Sequence, residues 1–319
     1  MSKNQILDSL GRIDDEVIQN VNEARVARKP KLQVRRWAAF AACFALIISM
    51  ALTAEATNGT VSNLLAPLFG GAQTEIVDKI GVPIGASTTV NGYTLTADAI
   101  IGDQYNVAIV YTLSRDDGEP IPDDTYFHEW KTNILGAASG GGSLCPVRDD
   151  EDPNVIHFVE SWHRHAPLIG RIVNVCFSDL AIYNKDEDIM LSEGTWELTF
   201  TLRYDDSSEK LPVKNLYATD EGDCYYKVEN ILLSPVGLHL DLILYDPVFG
   251  QAPLMDFEVS LLLKDGTILT LEGGGGGGMR DGDKTMEISY SSMFDIPIPR
   301  EEIQAIIICG TTYELDNDK

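Results

Sequence analysis

Hydrophobic positions change their spacing twice along this chain. Near the start, Leu7, Leu10, Ile13, Val17, Val21 and Ala24 recur at intervals of three and four, the pattern of one apolar stripe on short helices. Gly11 interrupts the stripe, and Asp14 stands where it can cap a second helix with acidic residues in its first turn. Over residues 37–54 the periodicity vanishes: 18 positions carry no charge, and Ser49 and Thr53 are the polar exceptions. As a helix this run is about 27 Å long at about 1.5 Å per residue, close to the ~30 Å hydrocarbon core of a bilayer. A core helix would keep a polar face, and this segment is apolar all round. The pattern predicts a transmembrane helix over 37–54.

Residues 55–80 read as a connector. Positions 64–69 are apolar, Gly70-Gly71 breaks the run, and 74–80 have room for one or two helical turns. The spacing then switches to two. Asn91-Gly92 and Gly102-Asp103 mark turns around a strand, followed by an alternating set of Tyr105, Val107, Ile109, Tyr111 and Leu113. The alternation returns in Trp196, Leu198, Phe200, Leu202 and Tyr204, and in Leu238, Leu240, Leu242 and Leu244. A further set, Phe257, Val259, Leu261 and Leu263, runs into an Asp265-Gly266 hairpin turn. One apolar face per short strand argues for antiparallel sandwiches, and no long helical pattern intervenes to support a parallel sheet. The polar stretch 205–217, with Pro212, divides the exported part in two.

The expected fold is therefore mainly β: two tandem antiparallel β-sandwich (immunoglobulin-like) domains after a single transmembrane helix, with a short helical N-terminal segment. Its parts are a cytoplasmic helical segment with a basic juxtamembrane cluster (1–36), the span (37–54), the connector (55–80) and the sandwiches (81–205 and 206–319).

Charge sets the orientation. Arg25, Arg28, Lys29, Lys31, Arg35 and Arg36 precede the span, and the next basic residue is Lys79. Cytoplasmic flanks carry the Lys/Arg excess, so the N-terminus is expected inside and the chain from about residue 55 outside the cell membrane. A cleavable signal peptide, ending at Ala54-Glu55-Ala56, is the competing reading. Signal peptides, however, place an apolar region of roughly 7–15 residues near the start, whereas here 36 residues come first. The whole chain has 24 Lys and Arg against 49 Asp and Glu. Eight basic and five acidic residues lie in 1–36, leaving 16 and 44 beyond, a net charge of −28. So acidic a body is repelled by nucleic acid and anionic lipid. Cys145, Cys176, Cys224 and Cys309 lie far apart with no C-x-x-C, and two disulfides or buried thiols both remain open.

Candidate chemistry is sparse. The glycines 273–278 lack the Gly-Lys-Ser/Thr ending and following helix of a phosphate loop, and read as a flexible hairpin loop between two strands. His163 and His165 share a face if extended, with His128 or His157 as a third ligand, but no zinc spacing is met. The acidic runs 148–154 and 183–189 do not match an EF-hand loop and read as solvated loops. No nucleophile has a recognisable base and orienting partner. No enzyme activity, cofactor or metal is expected.

Four passages carry a resemblance. They are "ILDSLGRIDDEVIQNV", with Leu-Gly-x-Ile-Asp-Asp at 10–15; "RRWAAFAACFALI" entering the span; "VNGYTLTADAIIGDQYNVAIVYTL"; and "SEGTWELTFTL" with "ENILLSPVGL" and the closing "FDIPIPREEIQAIIICGTTYEL". Together they resemble a family of membrane-anchored proteins of Gram-positive bacteria defined by a domain of unknown function numbered 4179. The resemblance implies an anti-sigma-factor-like role, in which the inner segment holds a cytoplasmic sigma factor and the outer domains meet an extracellular ligand. The His-x-x-x-Cys-x-x-Cys zinc pattern of better-understood anti-sigma domains is absent from this sequence. The stripe of Leu7, Leu10, Ile13, Val17 and Val21 is the expected partner-binding surface, with the lipid headgroups as its other possible seat. A surface-binding or structural module with no signalling role is the alternative from a different class.

Overall fold

In the computed structural model the described residues are 61–136, 140–148, 152–164, 166–185, 187–213, 217–219, 225–245, 258–280 and 285–315. All belong to one compact unit, Met50–Lys319. The predicted span lies outside them, and no helix among them is long and apolar enough to cross a membrane.

The connector forms three short helices, α1 (Val61–Leu64), α2 (Ala66–Phe69) and α3 (Thr74–Ile80). The period-two segments then form β1 (Val82–Val90), β2 (Tyr93–Gly102), β3 (Asn106–Arg115) and β4 (Thr125–Ile134). Next come β5 (Gly140–Arg148), β6 (Val155–Arg164), β7 (Ile172–Ile182) and β8 (Ile189–Thr201). After the polar stretch follow β9 (Glu209–Leu211), β10 (Tyr217–Thr219), β11 (Tyr225–Ser234) and β12 (Gly237–Tyr245). The remaining strands are β13 (Val259–Leu263), β14 (Ile268–Thr270), β15 (Gly274–Arg280), β16 (Thr285–Met293), β17 (Ile303–Ile308) and β18 (Thr311–Glu314).

Among the described residues every strand pair is antiparallel, and the strands make four sheets. The first has the order β1-β2-β3-β6-β5 and the second β4-β7-β8. The third runs β10-β11-β12-β16-β15, with β9 beside β11, and the fourth β14-β13-β17-β18. Local chemistry fixes the register. Asn91 and Gly92 both take positive φ, 50° and 81°, so the turn twists with its strands and sets Val90 against Tyr93.

Two cores follow from the alternation. Leu95, Ile109, Tyr111 and Leu113 of the first sheet meet Val173, Val175, Phe177, Trp196 and Leu198 of the second. Trp196 is fully buried, its Nε1 donates to the Tyr93 carbonyl at 2.9 Å, and the Phe127 ring meets it edge-on. Within this core lies one carboxylate, Glu160. It accepts from Tyr111 Oη at 2.6 Å, Trp130 Nε1 at 2.6 Å, Trp162 Nε1 at 2.7 Å and the Thr132 hydroxyl. Burial raises its pKa, and the four donors oppose that rise. The second core joins Leu238, Leu240, Leu242, Leu244 and Tyr290 of the third sheet to Val259, Leu261, Ile303 and Ile306 of the fourth.

Two expectations are corrected. The glycine run is a strand: Gly274 to Arg280 pair continuously with Ser291 to Thr285 of β16. Glycine keeps both backbone hydrogen-bonding groups, so a neighbouring strand can order it although its entropy favours a loop. A β-carbon on Gly273 would collide with the Tyr290 ring, which lies across that position. In addition, β3 does not have one buried face but two. Ala108 and Val110, between the alternating residues, are as inaccessible as their neighbours, because α1–α3 cover that side.

Candidate functional site at the junction of the sheet pairs

The stripe residues Leu7, Leu10, Ile13, Val17 and Val21 lie outside the described residues. So do the orienting residues Arg25, Arg28, Lys29, Lys31, Arg35 and Arg36. The site that can be built from described residues lies where the connector, the first sheet and the third sheet converge.

Its apolar part is a third core. Leu65, Phe69, Val77 and Ile80 of the helical connector pack with Ala99, Ile101, Ala108, Val110 and Val159 of the first sheet. Val236, from the β11–β12 turn, is fully buried in the same cluster, and Met293 of β16 packs against it. Gly81 lets the connector turn into β1 at close range, since a β-carbon there would lie 2.8 Å from Leu65 and Val61. Ser62 N donates to Asp78 Oδ1 at 2.6 Å, tying α1 to α3.

Its polar part is a buried latch. Asp103, 3% exposed, closes the β2–β3 turn by accepting from the backbone amides of Tyr105 at 2.9 Å and Asn106 at 2.8 Å. Asn106 Nδ2 donates to both carboxylate oxygens at 3.1 Å. Across the junction, Ser234 Oγ at the end of β11 donates to Asp103 Oδ2 at 2.7 Å. Tyr204 Oη donates to the Asp103 carbonyl at 3.0 Å, and burial raises the phenol's pKa, helped by the charges of Asp103 and Asp206. Gly237 makes the approach possible, because a β-carbon would sit 2.8 Å from Asn106 Nδ2 and 2.9 Å from Asp103 Oδ2.

Beside the latch, the Tyr105 ring stacks on His239 with centroids 3.6 Å apart and planes 3° apart. Tyr105 thus leaves the alternating face on which its spacing placed it, and β3 begins one residue later. His239 Nδ1 lies 2.7 Å from Ser291 Oγ, and its Nε2 lies 3.2 Å from Asp241 Oδ1. Asn230 and Ser289 also donate to Asp241, at 3.0 and 3.3 Å. Burial works against the Asp241 charge, but the bonds from His239, Asn230 and Ser289 prevail and hold its carboxyl below the usual range. The residue types are those of an activated serine. Here, however, Ser291 is 1% exposed and Tyr105 covers the imidazole, so His239 joins β12 to β16 through Ser291 and meets the first sheet through the Tyr105 ring.

At the rim of the helical cover, the Thr112 hydroxyl bonds to Asp98 and lies 2.9 Å from His157 Nδ1, a line across β2, β3 and β6. Burial pushes the Asp98 carboxyl up to about 7, and the Thr112 bond only partly opposes this.

The histidines singled out from the sequence are not brought together. His128 sits near Asp188 on the second sheet, His157 and His163 are on β6, and His165 lies outside the described residues. Among the described residues no group of three His, Cys, Asp or Glu could hold a metal ion. Cys145 and Cys176 are free thiols, and Cys224 lies outside the described residues. The sequence reading missed Asp103, Asn106, Ser234, His239 and Asp241. The signal available was the polar set between the leucines of β12, which the alternation assigns to the side away from the core.

Fold and junction define a mainly β protein of antiparallel sheets whose short helices cover one of them. No protein-family model matches the chain, and no curated protein matches it. Among solved structures, the chain is similar to a conserved domain protein from Bacillus anthracis, with 17% identity and a TM-score of 0.50. The match covers 72% of this chain and 76% of that one, and it shows likeness of fold alone.

Proposed function

We propose that this chain is a single-pass membrane regulator of the anti-sigma-factor type. In this reading the two sheet pairs are tandem immunoglobulin-like sandwich domains outside the cell membrane. The stripe of Leu7, Leu10, Ile13, Val17 and Val21 is the surface that a cytoplasmic sigma factor buries. The observation that carries it is the third core. The helices that follow the predicted span share one set of buried side chains with the first sheet and with Val236 and Met293 of the third. A change in either sheet pair therefore bears on the segment nearest the membrane, as a transmembrane regulator requires. The basic residues before the span and the acidic body after it support the orientation.

Replacing Leu10, Ile13 and Val17 with Asp tests the reading. Apolar anchors at helical spacing are what a groove reads. The triple variant should insert in the membrane as before, lose a sigma factor that co-purifies with the unaltered chain, and release that factor's transcription. If no cytoplasmic protein depends on these three residues, the inner segment is only an anchor and the chain is a surface module.

A further inference from the structure

We infer that the outward face of the second sheet binds a cationic side chain, an arginine or lysine presented by a basic peptide. Register places the residues. Tyr126 pairs with Ala181, and Ala181 with Met190, so the three share a face, which His128 joins two residues along β4. Tyr183 and Asp188 continue β7 and β8 on that same face, just past the last pair, Ile182 with Ile189. Tyr183 is 60% exposed and Met190 41%. Large apolar side chains gathered at one end of an otherwise acidic body call for something to cover them.

A carboxylate lies among these rings. Asp188 Oδ2 accepts from Tyr126 Oη at 2.5 Å, Oδ1 accepts from the Asn184 amide at 3.1 Å, and His128 Nε2 is 3.7 Å away. The Tyr126 and His128 rings are 5.3 Å apart and tilted by 32°. The Tyr126 hydroxyl and then the Asn184 amide hold the carboxyl below its usual range, so it stays charged. Aromatic faces attract cations, and a fixed anion between them selects a cation over a neutral sugar or a phosphate. Exposed Asp124 and Glu187 add to the field, and Lys185 is the one base in the described part of the β7–β8 loop. The net charge of −28 beyond residue 36 steers basic segments toward this surface. Arginine fits better than lysine, because its planar guanidinium stacks on rings, is weakly hydrated and can bond a carboxylate. Met190 would cover its aliphatic stem.

Such a ligand would supply the outer signal of the proposed regulator. That link rests on the reading above, whereas binding in solution does not, so the two fail separately. The test is fluorescence anisotropy of the purified full chain with a fluorescein-labelled Gly/Ser peptide carrying two arginines. Its controls are the same peptide with citrulline, a neutral isostere, and chitotetraose as a competing sugar. Saturable binding is expected, about tenfold weaker for citrulline and for each of Tyr183→Ala and Asp188→Asn, and insensitive to the sugar. Tyr183→Phe, which keeps the ring, and Asp265→Asn, an exposed carboxylate on another sheet, should bind like the unaltered chain. Equal binding by Asp188→Asn and the unaltered chain would reduce the effect to diffuse charge and overturn the site. Absence of saturable binding, or displacement by chitotetraose, would overturn it as well.

Discussion

Asp103→Ala is the sharpest probe of the junction. The substitution removes one carboxylate and strands the donors that it satisfies: the amides of Tyr105 and Asn106, Asn106 Nδ2 and Ser234 Oγ. Hydrogen bonds to a charged group contribute about 1.5–3 kcal/mol each, while the variant is relieved of the cost of burying the charge. Balancing the two gives an expected loss of about 3–5 kcal/mol, a large share of the ~5–15 kcal/mol that holds a typical domain folded. Ser234→Ala removes one donor to Asp103, leaves Asn106 on the same oxygen and takes the Val236 amide's acceptor, so about 1–2 kcal/mol is expected. Because the two residues are in contact, the double variant should lose less than the sum by at least about 0.5 kcal/mol.

The location of the damage can be read as well as its size. The chain's four tryptophans are Trp37, Trp130, Trp162 and Trp196, and the last three belong to the first core or its edge. Urea unfolding of the full chain followed by tryptophan fluorescence reports the first sheet pair, and far-ultraviolet circular dichroism reports both. In the unaltered chain the latch and the third core should hold the two curves together. In Asp103→Ala they should separate, because the polar tie between the pairs is gone while each keeps its own core. Coincident curves with an unchanged midpoint would refute the latch and reduce Asp103 to a local turn residue.

The remaining predictions concern the first sheet pair. Trp196→Ala should cost about 3–5 kcal/mol by opening a cavity in the first core, with the Tyr93 carbonyl losing its donor as well. An unchanged thermal midpoint would mean that the ring is not inside. Asp98 carries a pH signature. Its carboxyl is raised from 3.8 to about 7, so between those values the folded chain binds a proton that the unfolded chain has released. That contribution to stability is fully present below pH ~4 and is lost as pH rises toward ~7. Asp98→Asn should therefore raise the melting temperature at pH 8 and change it little at pH 4, and equal shifts at both values would exclude Asp98 as the titrating group.

Much of the fold was legible in the residues. Period-two runs such as 238–244 and 196–204 became strands or their extensions, with the apolar members inside. The Asn91-Gly92 pair took the two positive φ angles its turn requires. These features are local, since side chains alternate across any strand and only a few residues tolerate left-handed backbone. Glu160 shows where local reasoning stops. It occupies an inward position between Phe158 and Trp162, and whether a carboxylate can stay there depends on Tyr111, Trp130, Thr132 and Trp162, gathered from three strands.

The same holds for the junction. The sequence by itself determined that the chain turns at Gly102-Asp103 and that His239 and Asp241 lie on the side of β12 opposite its leucines. Only the tertiary structure decided that this side is covered at His239, that Tyr105 leaves its strand to stack on that ring, and that Ser234 reaches Asp103 from 131 residues away. Spacing along a chain records which face a side chain takes relative to its own strand. It carries no record of what lies against that face, because burial and hydrogen-bond partners are set by the packing of distant segments.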